Sequence, residues 1–260
     1  MAKRELPHSL DNFLSKEQAN ESKKVKSSKC VADSGLKQYT KTFCKEDWTH
    51  IVGPQLSLST VILYSAPDER KRVFNGLENQ IQYFSDPTLT RVKVFGKWHD
   101  LPRKQAAYGI EGLTYKYSGL TVSTIPWKRA PILQQILIDV KNATNIHFNF
   151  VLINRYKDGK DKMGEHKDDE KELDPDVPIA SLSLGQERDF ILRHQDLLKN
   201  KNEHKCSKGS EKKYHKMILR DGMLLLMNAP TNQFWYHSLP PRSVKTCPGV
   251  RINLTFRKIV

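Results

Sequence analysis

Apolar residues recur at helical spacing after Ser65-Ala66-Pro67-Asp68, where Val73, Phe74, Leu77, Ile81 and Phe84 fall on one face of a 3.6-residue period. The serine, the early proline and the acid favour a helix start there. A second amphipathic stretch opens near Pro131 and predicts a buried face of Ile132, Leu133, Ile136, Leu137 and Val140. Elsewhere the pattern shortens to β-branched and aromatic runs divided by Gly and Pro. These predict strands over 91–98, 148–156, 179–184, 189–194, 223–228 and 250–259. Helices followed by many short strands predict an α+β protein built on a barrel or jelly roll. Residues 1–46 are Lys- and Ser-rich with no sustained period, which predicts a disordered basic tail ahead of one domain over 47–260.

Within the last strand the polar face is unusual. Along Arg251–Arg257 the side chains alternate, Ile252, Leu254 and Phe256 on one face and Arg251, Asn253, Thr255 and Arg257 on the other. On an exposed sheet this is an ordinary outer face. The segment 148–156 points elsewhere, because Phe148, Phe150 and Leu152 share a face with Asn154 and Tyr156, so an apolar face turns polar at one end. Together the two strands resemble the wall of a polar pocket. Two arginines inside a barrel are costly without an anion. A small dicarboxylate brings one carboxylate for each guanidinium fork.

The sequence His166-Lys167-Asp168 places an imidazole and a carboxylate on one face if extended, and His237 follows the aromatic run Phe234-Trp235-Tyr236. Two histidines and one carboxylate leave open positions on iron, the arrangement of non-haem Fe(II) oxygenases. With nine histidines in the chain, an isolated His-x-Asp arises easily by chance and reads equally as surface residues. Its order before a second histidine and an arginine-rich strand is far more selective.

A formal net charge of +14 calls for a polyanionic partner, a nucleic acid or an anionic membrane. No apolar run approaches the ~18 residues of a membrane span, and no secretory-type apolar stretch opens the chain, so nucleic acid is favoured. Cys30, Cys44, Cys206 and Cys247 form no CxxC pair and predict free thiols in a reducing compartment, cytosolic or nuclear. Lys23-Lys24-Val25-Lys26 reads as a nuclear import signal or as a solvated basic stretch. The Lys-rich segment 195–216 reads as a solvated loop or a DNA-contacting one.

Asn154-Arg155-Tyr156, His166-Lys167-Asp168-Asp169-Glu170, His237 and Arg251–Arg257 together resemble the AlkB family of alkylation-repair dioxygenases, from about Trp48 to the C-terminus. The likeness is greatest to the family's nuclear, duplex-DNA branch. It implies a double-stranded β-helix with flanking helices and a DNA-contacting β-hairpin. Fe(II) is then expected on His166, Asp168 and His237, and 2-oxoglutarate on Asn154, Tyr156, Arg251, Thr255 and Arg257, with dioxygen as co-substrate. The implied reaction oxidises the N-methyl group of 1-methyladenine or 3-methylcytosine, with etheno adducts as a further class, and releases formaldehyde and succinate. Phe95, flanked by Gly96 and Lys97, corresponds to the wedge that fills the place of a flipped base. Arg103, Tyr115, Lys116, Tyr117, Asp169 and Glu170 correspond to substrate contacts, Tyr117 standing where relatives usually carry Phe. Pro240-Pro241-Arg242-Ser243-Val244-Lys245 has fewer clustered basic residues than the family pattern, and Asn12-Phe13-Leu14-Ser15-Lys16 is a partial sliding-clamp motif. A nuclear monomer acting on double-stranded DNA is therefore expected. The alternatives are an RNA or single-stranded-DNA demethylase of the same chemistry, an inactive DNA-binding relative, and a protein hydroxylase.

Overall fold

A computed structural model describes residues 44–94, 97–117, 120–168, 170–199 and 213–260. A 3-10 turn at Lys45–Asp47 leads into β1 (Thr49–Gly53), β2 (Leu56–Ile62), α1 (Pro67–Gln80) and the short α2 (Pro87–Thr90). Then come β3 (Arg91–Val94), β4 (Lys97–Asp100), β5 (Lys104–Gly109), β6 (Thr114–Tyr117), β7 (Leu120–Ser123), β8 (Ile125–Pro126) and α3 (Pro131–Thr144). The remainder is β9 (Phe150–Tyr156), β10 (Met163–His166), β11 (Ile179–Gly185), β12 (Arg188–His194), α4 (Gln195–Lys199), β13 (Tyr214–Leu219), β14 (Met223–Met227), α5 (Thr231–Phe234), β15 (Trp235–Leu239) and β16 (Arg251–Arg257).

A major sheet runs β1-β2-β14-β11-β16-β9-β5-β8, and a minor sheet runs β10-β15-β12-β13. Apart from the parallel contact of β5 with β8, neighbours in both sheets are antiparallel. One core joins the sheets, with Leu58, Tyr156, Ile179 and Leu225 from the major sheet packed with Phe190, Leu192 and Trp235 from the minor one. A second core lies between the major sheet and α1 and α3, where Val73, Leu77, Leu133, Ile136 and Val140 meet Leu182, Leu184, Ile252, Leu254 and Phe256. This is the jelly roll that the resemblance implied, with its helices on the outer face of the larger sheet. At Gly76 a Cβ would lie 2.7 Å from Ile132 Cγ1, so the glycine lets α1 and α3 touch.

Several local expectations change. Ser65 does not cap α1; Ala66 occupies that position, and the carbonyl of Ser65 instead accepts from Arg70 Nη1. Pro67 already fixes the helical φ at the first position, so no side-chain cap is needed to start the helix. The helix ends before Ile81, which turns extended, and Phe84 lies beyond it. Phe148 precedes β9 rather than sharing its cavity face, and it packs 6.0 Å from Phe256 on the helical side. The tail over 1–43, the Phe95-Gly96 tip, Asp169 and 200–212 of the Lys-rich segment lie outside the described residues. The ends of that segment are described: Lys213 pairs with Asp196 and Lys216 with Asp189, at 3.1 and 3.3 Å. Of the cysteines, Cys44 and Cys247 are described, both as free thiols.

Candidate metal and cofactor centre

The space between the sheets is lined from both sides. The minor sheet and the loop after it contribute His166, Asp168, His237 and Phe190; the major sheet contributes Asn154, Tyr156, Ser181, Arg251, Asn253, Thr255 and Arg257. Strand β16 can present charged groups inward because it lies between β11 and β9, so that its inward face opens on the cavity and its other face on the helical core.

At one end the ligand atoms of His166, Asp168 and His237 lie within 4.8 Å of one another. His166 and His237 face each other across this centre because β10 and β15 pair them directly. His166 Nδ1 lies 3.0 Å from the carbonyl of Gly164, which fixes that nitrogen as the protonated one. Its Nε2 therefore faces Asp168, 3.7 Å away, and His237 Nε2 stands 4.0 Å from the same carboxylate. Burial, aided by the neighbouring His166, pushes the His237 imidazole down to about 3, so the ring is neutral and can donate a lone pair. Burial opposes ionisation of Asp168, but Arg257 and the two imidazoles outweigh it and hold its carboxyl at about 2. Two imidazoles and a carboxylate gathered on one wall are a donor set suited to iron.

Arg257 Nη2 contacts Asp168 Oδ2 at 2.7 Å, and Nη1 donates to the Tyr115 hydroxyl at 3.1 Å. Tyr115 in turn donates to Glu170 Oε1 and packs at a tilt of 32° against Phe150 with centroids 4.4 Å apart. Arg251, at the opposite end of β16, is different. It is 2% exposed and packs 5.3 Å from the Tyr156 ring, and its Nη2 donates to Ser183 Oγ at 2.9 Å. Its Nε finds no acceptor, and no carboxylate pairs with it among the described residues. Burial lowers its pKa to about 10, yet the guanidinium remains charged at neutral pH. A buried cation without a counter-ion fits a carboxylate from a bound acid. Asn154 is aimed by its neighbours: its Oδ1 accepts from Arg103 Nε at 2.8 Å and from Gln105 Nε2 at 3.0 Å. Arginine can only donate, so the amide oxygen is held outward and the NH2 is left to donate into the cavity.

Of the substrate contacts expected from sequence, Glu170 lines this cavity and Tyr115 adjoins it, while Arg103 sits at its rim through Asn154. Lys97 and Lys116 are exposed outside it. The side chains of Phe95, Tyr117 and Asp169 lie outside the described residues. Asn253 was overlooked as a site residue, although its place between Arg251 and Thr255 on the polar face of β16 marked it. Its Nδ2 donates to Ser181 Oγ at 2.8 Å. Arg188 carries no sequence signal. It is 2% exposed and donates to the carbonyls of Asp158, Gly159, Asp161 and Pro240, joining the loop after β9 to the loop after β15.

The family described as the 2OG-Fe(II) oxygenase superfamily matches residues 62–257. The human protein named DNA oxidative demethylase ALKBH2 is 48% identical over 217 residues, covering 82% of this chain and 77% of its own. Its mouse counterpart is 47% identical over 218 residues, covering 82% and 84%. The mouse alpha-ketoglutarate-dependent dioxygenase alkB homolog 3 is 34% identical over 159 residues, covering 61% and 52%. A match over most of the chain, joined to this centre, leads to one conclusion: the chain belongs to the 2OG-Fe(II) oxygenase superfamily, in the AlkB family and on its ALKBH2 branch.

Proposed function

We propose that this chain repairs double-stranded DNA by oxidative demethylation of 1-methyladenine and 3-methylcytosine, with etheno adducts as a further class. It is an Fe(II)- and 2-oxoglutarate-dependent DNA dioxygenase that takes dioxygen as co-substrate. The observation that carries the reading is one cavity with a His-Asp-His centre at one end and, at the other, Arg251 with no carboxylate partner among the described residues, in a chain 48% identical to a protein named a DNA oxidative demethylase.

His166, Asp168 and His237 hold the iron. Arg251 and Asn154, with Tyr156 and Thr255 beside them, hold and orient 2-oxoglutarate, and Arg257 keeps the Asp168 carboxylate ionised and in place. When bound, iron and 2-oxoglutarate supply the oxidation by which a methyl group on nitrogen leaves as formaldehyde. The protein excludes water with Leu152, Ile179, Phe190 and Leu225 around the same cavity. Glu170 Oε2 is buried without a partner among the described residues. An unpartnered carboxylate oxygen is an acceptor for the exocyclic amine that methylated adenine and cytosine both carry beside the lesion.

Duplex DNA is favoured by the β3–β4 hairpin, between whose strands Phe95 falls in the sequence, and by the +14 charge. A nuclear monomer agrees with that substrate. The test is incubation with Fe(II), 2-oxoglutarate and a 1-methyladenine oligonucleotide, duplex and single-stranded in parallel. Restored adenine and formaldehyde, faster on the duplex, are expected. Turnover on RNA or single strands alone would replace the duplex reading, and none on any of them would end it.

A further inference from the structure

We infer that Asn232, outside the metal ligands, is a positioning residue that sets the distance between Asp168 and His237. The reason begins with a gap in the sheet. The ladder between β10 and β15 stops at the pair His166 and His237, so Asp168 lies beyond the strand end with no neighbouring strand to hold its peptide groups. A side chain takes that strand's place. Asp168 N–H donates to Asn232 Oδ1 at 3.0 Å, and Asn232 Nδ2 donates back to the Asp168 carbonyl. Only an amide offers an acceptor and a donor side by side in this way, copying the peptide it replaces. Its orientation is fixed, because the oxygen must face the N–H and the nitrogen the carbonyl.

Asn232 lies in α5, whose last residue, Phe234, directly precedes β15, the strand of His237. The pair of bonds therefore fastens the second metal ligand to the segment that delivers the third. Lys167 repeats the fastening: its Nζ donates to the carbonyl of Gln233 and stands 4.7 Å over the ring of Tyr236, the neighbour of His237. The corner is rooted in turn on β2. Thr231, fully buried, accepts from Ser57 N–H at 2.7 Å and donates to Ser57 carbonyl at 3.0 Å, and Asn228 Nδ2 donates to Ser59 Oγ at 3.0 Å. Two ligands separated in sequence by 69 residues are thus held to one spacing by the Asn232 amide, with Lys167 beside it and the major sheet behind it. The inference rests on the iron-site reading above.

The experiment titrates redox-inert Mn(II) into the full chain with 2-oxoglutarate present, by calorimetry, and compares wild type, Asn232→Ala, Asn232→Ser and Gly76→Ala. Groups that orient metal ligands typically affect affinity by about 10–100-fold. Asn232→Ala is expected to raise the Mn(II) Kd by that factor and to raise the Fe(II) concentration needed for half-maximal turnover, with kcat at saturating Fe(II) reduced much less. Gly76→Ala, which disturbs the distant contact of α1 with α3, should lower Tm without moving the Mn(II) Kd. If Asn232→Ala does not fold, Asn232→Ser, which loses the bidentate pair but keeps a small polar group, carries the same measurement. An Asn232 variant that lowers Tm but binds Mn(II) like wild type would reduce Asn232 to a loop staple and overturn the inference. Failure of the wild type itself to bind Mn(II) would instead remove the metal centre on which the inference stands.

Discussion

Arg251 and Arg257 share a strand face but have different surroundings, and the difference can be measured. Arg257 already has Asp168 at 2.7 Å, whereas Arg251 meets Ser183 and the Tyr156 ring and no carboxylate among the described residues. Arg251→Met should raise the Tm of the cofactor-free protein, because an apolar side chain of similar length replaces a buried, unpaired charge. The same variant should weaken 2-oxoglutarate about 10- to 100-fold, the factor expected for a charged hydrogen bond of about 1.5–3 kcal/mol. Thermal melts with and without 2-oxoglutarate check both signs; an unchanged cofactor-induced shift would place the acid elsewhere. Asp168→Ala should abolish turnover and the Mn(II)-induced rise in Tm, since it removes one of the three proposed ligands. The residues that meet at the His-Asp-His centre were legible from sequence because chemistry restricts such a donor set to few residue types in a fixed order. Asn232 and Arg188 were not, because each acts on backbone atoms and a sequence does not display which carbonyl or N–H a side chain will meet.

At the scale of elements, legibility followed burial on both faces. Strands β9, β11, β14 and β16 lie inside the major sheet and read as apolar or alternating runs, and their bounds fall within one or two residues of expectation. The β3–β4 hairpin was read from the run over 91–98, but β1, β6, β7 and β10 were missed: β1, β6 and β7 carry few inward positions, and β10 is a four-residue strand of mixed polarity. Strand β2, Leu56–Ile62, was passed over although only Ser57 and Ile62 are not fully buried, because its serines and threonine hide the apolar pattern. The helices were found by period, and their packing supplies a prediction. Gly76→Val should cost about 1–3 kcal/mol, since the Cβ alone would overlap Ile132. Denaturant unfolding should show the loss, while the KM for 2-oxoglutarate stays near that of wild type because the α1–α3 contact lies on the far face of the sheet.

Over the whole molecule, the fold class and the partner were readable together, the first from element order and the second from the +14 charge. What no pattern revealed is the division of labour between sheets, with the proposed metal ligands on and beside the minor one and the proposed acid-binding groups on the major one. Duplex preference belongs at this scale too. Unstacking a base costs roughly a few kcal/mol in a duplex and less in a single strand. Phe95→Ala should therefore lose most repair of a methylated duplex while keeping most of it on the single strand of the same sequence, with cofactor affinity unchanged. Equal losses on both would reduce Phe95 to a packing residue of its hairpin. The solitary guanidinium of Arg251 also ties the enzyme to metabolism. If it grips the carboxylate farthest from the iron, it grips the end that survives decarboxylation, so spent succinate keeps much of the hold that fresh 2-oxoglutarate has. Repair would then follow the ratio of the two acids rather than the supply of either, and respiratory failure that accumulates succinate would leave methylated bases standing in a cell full of enzyme. Competition by succinate that disappears in Arg251→Met, in step with cofactor affinity, is the corresponding measurement.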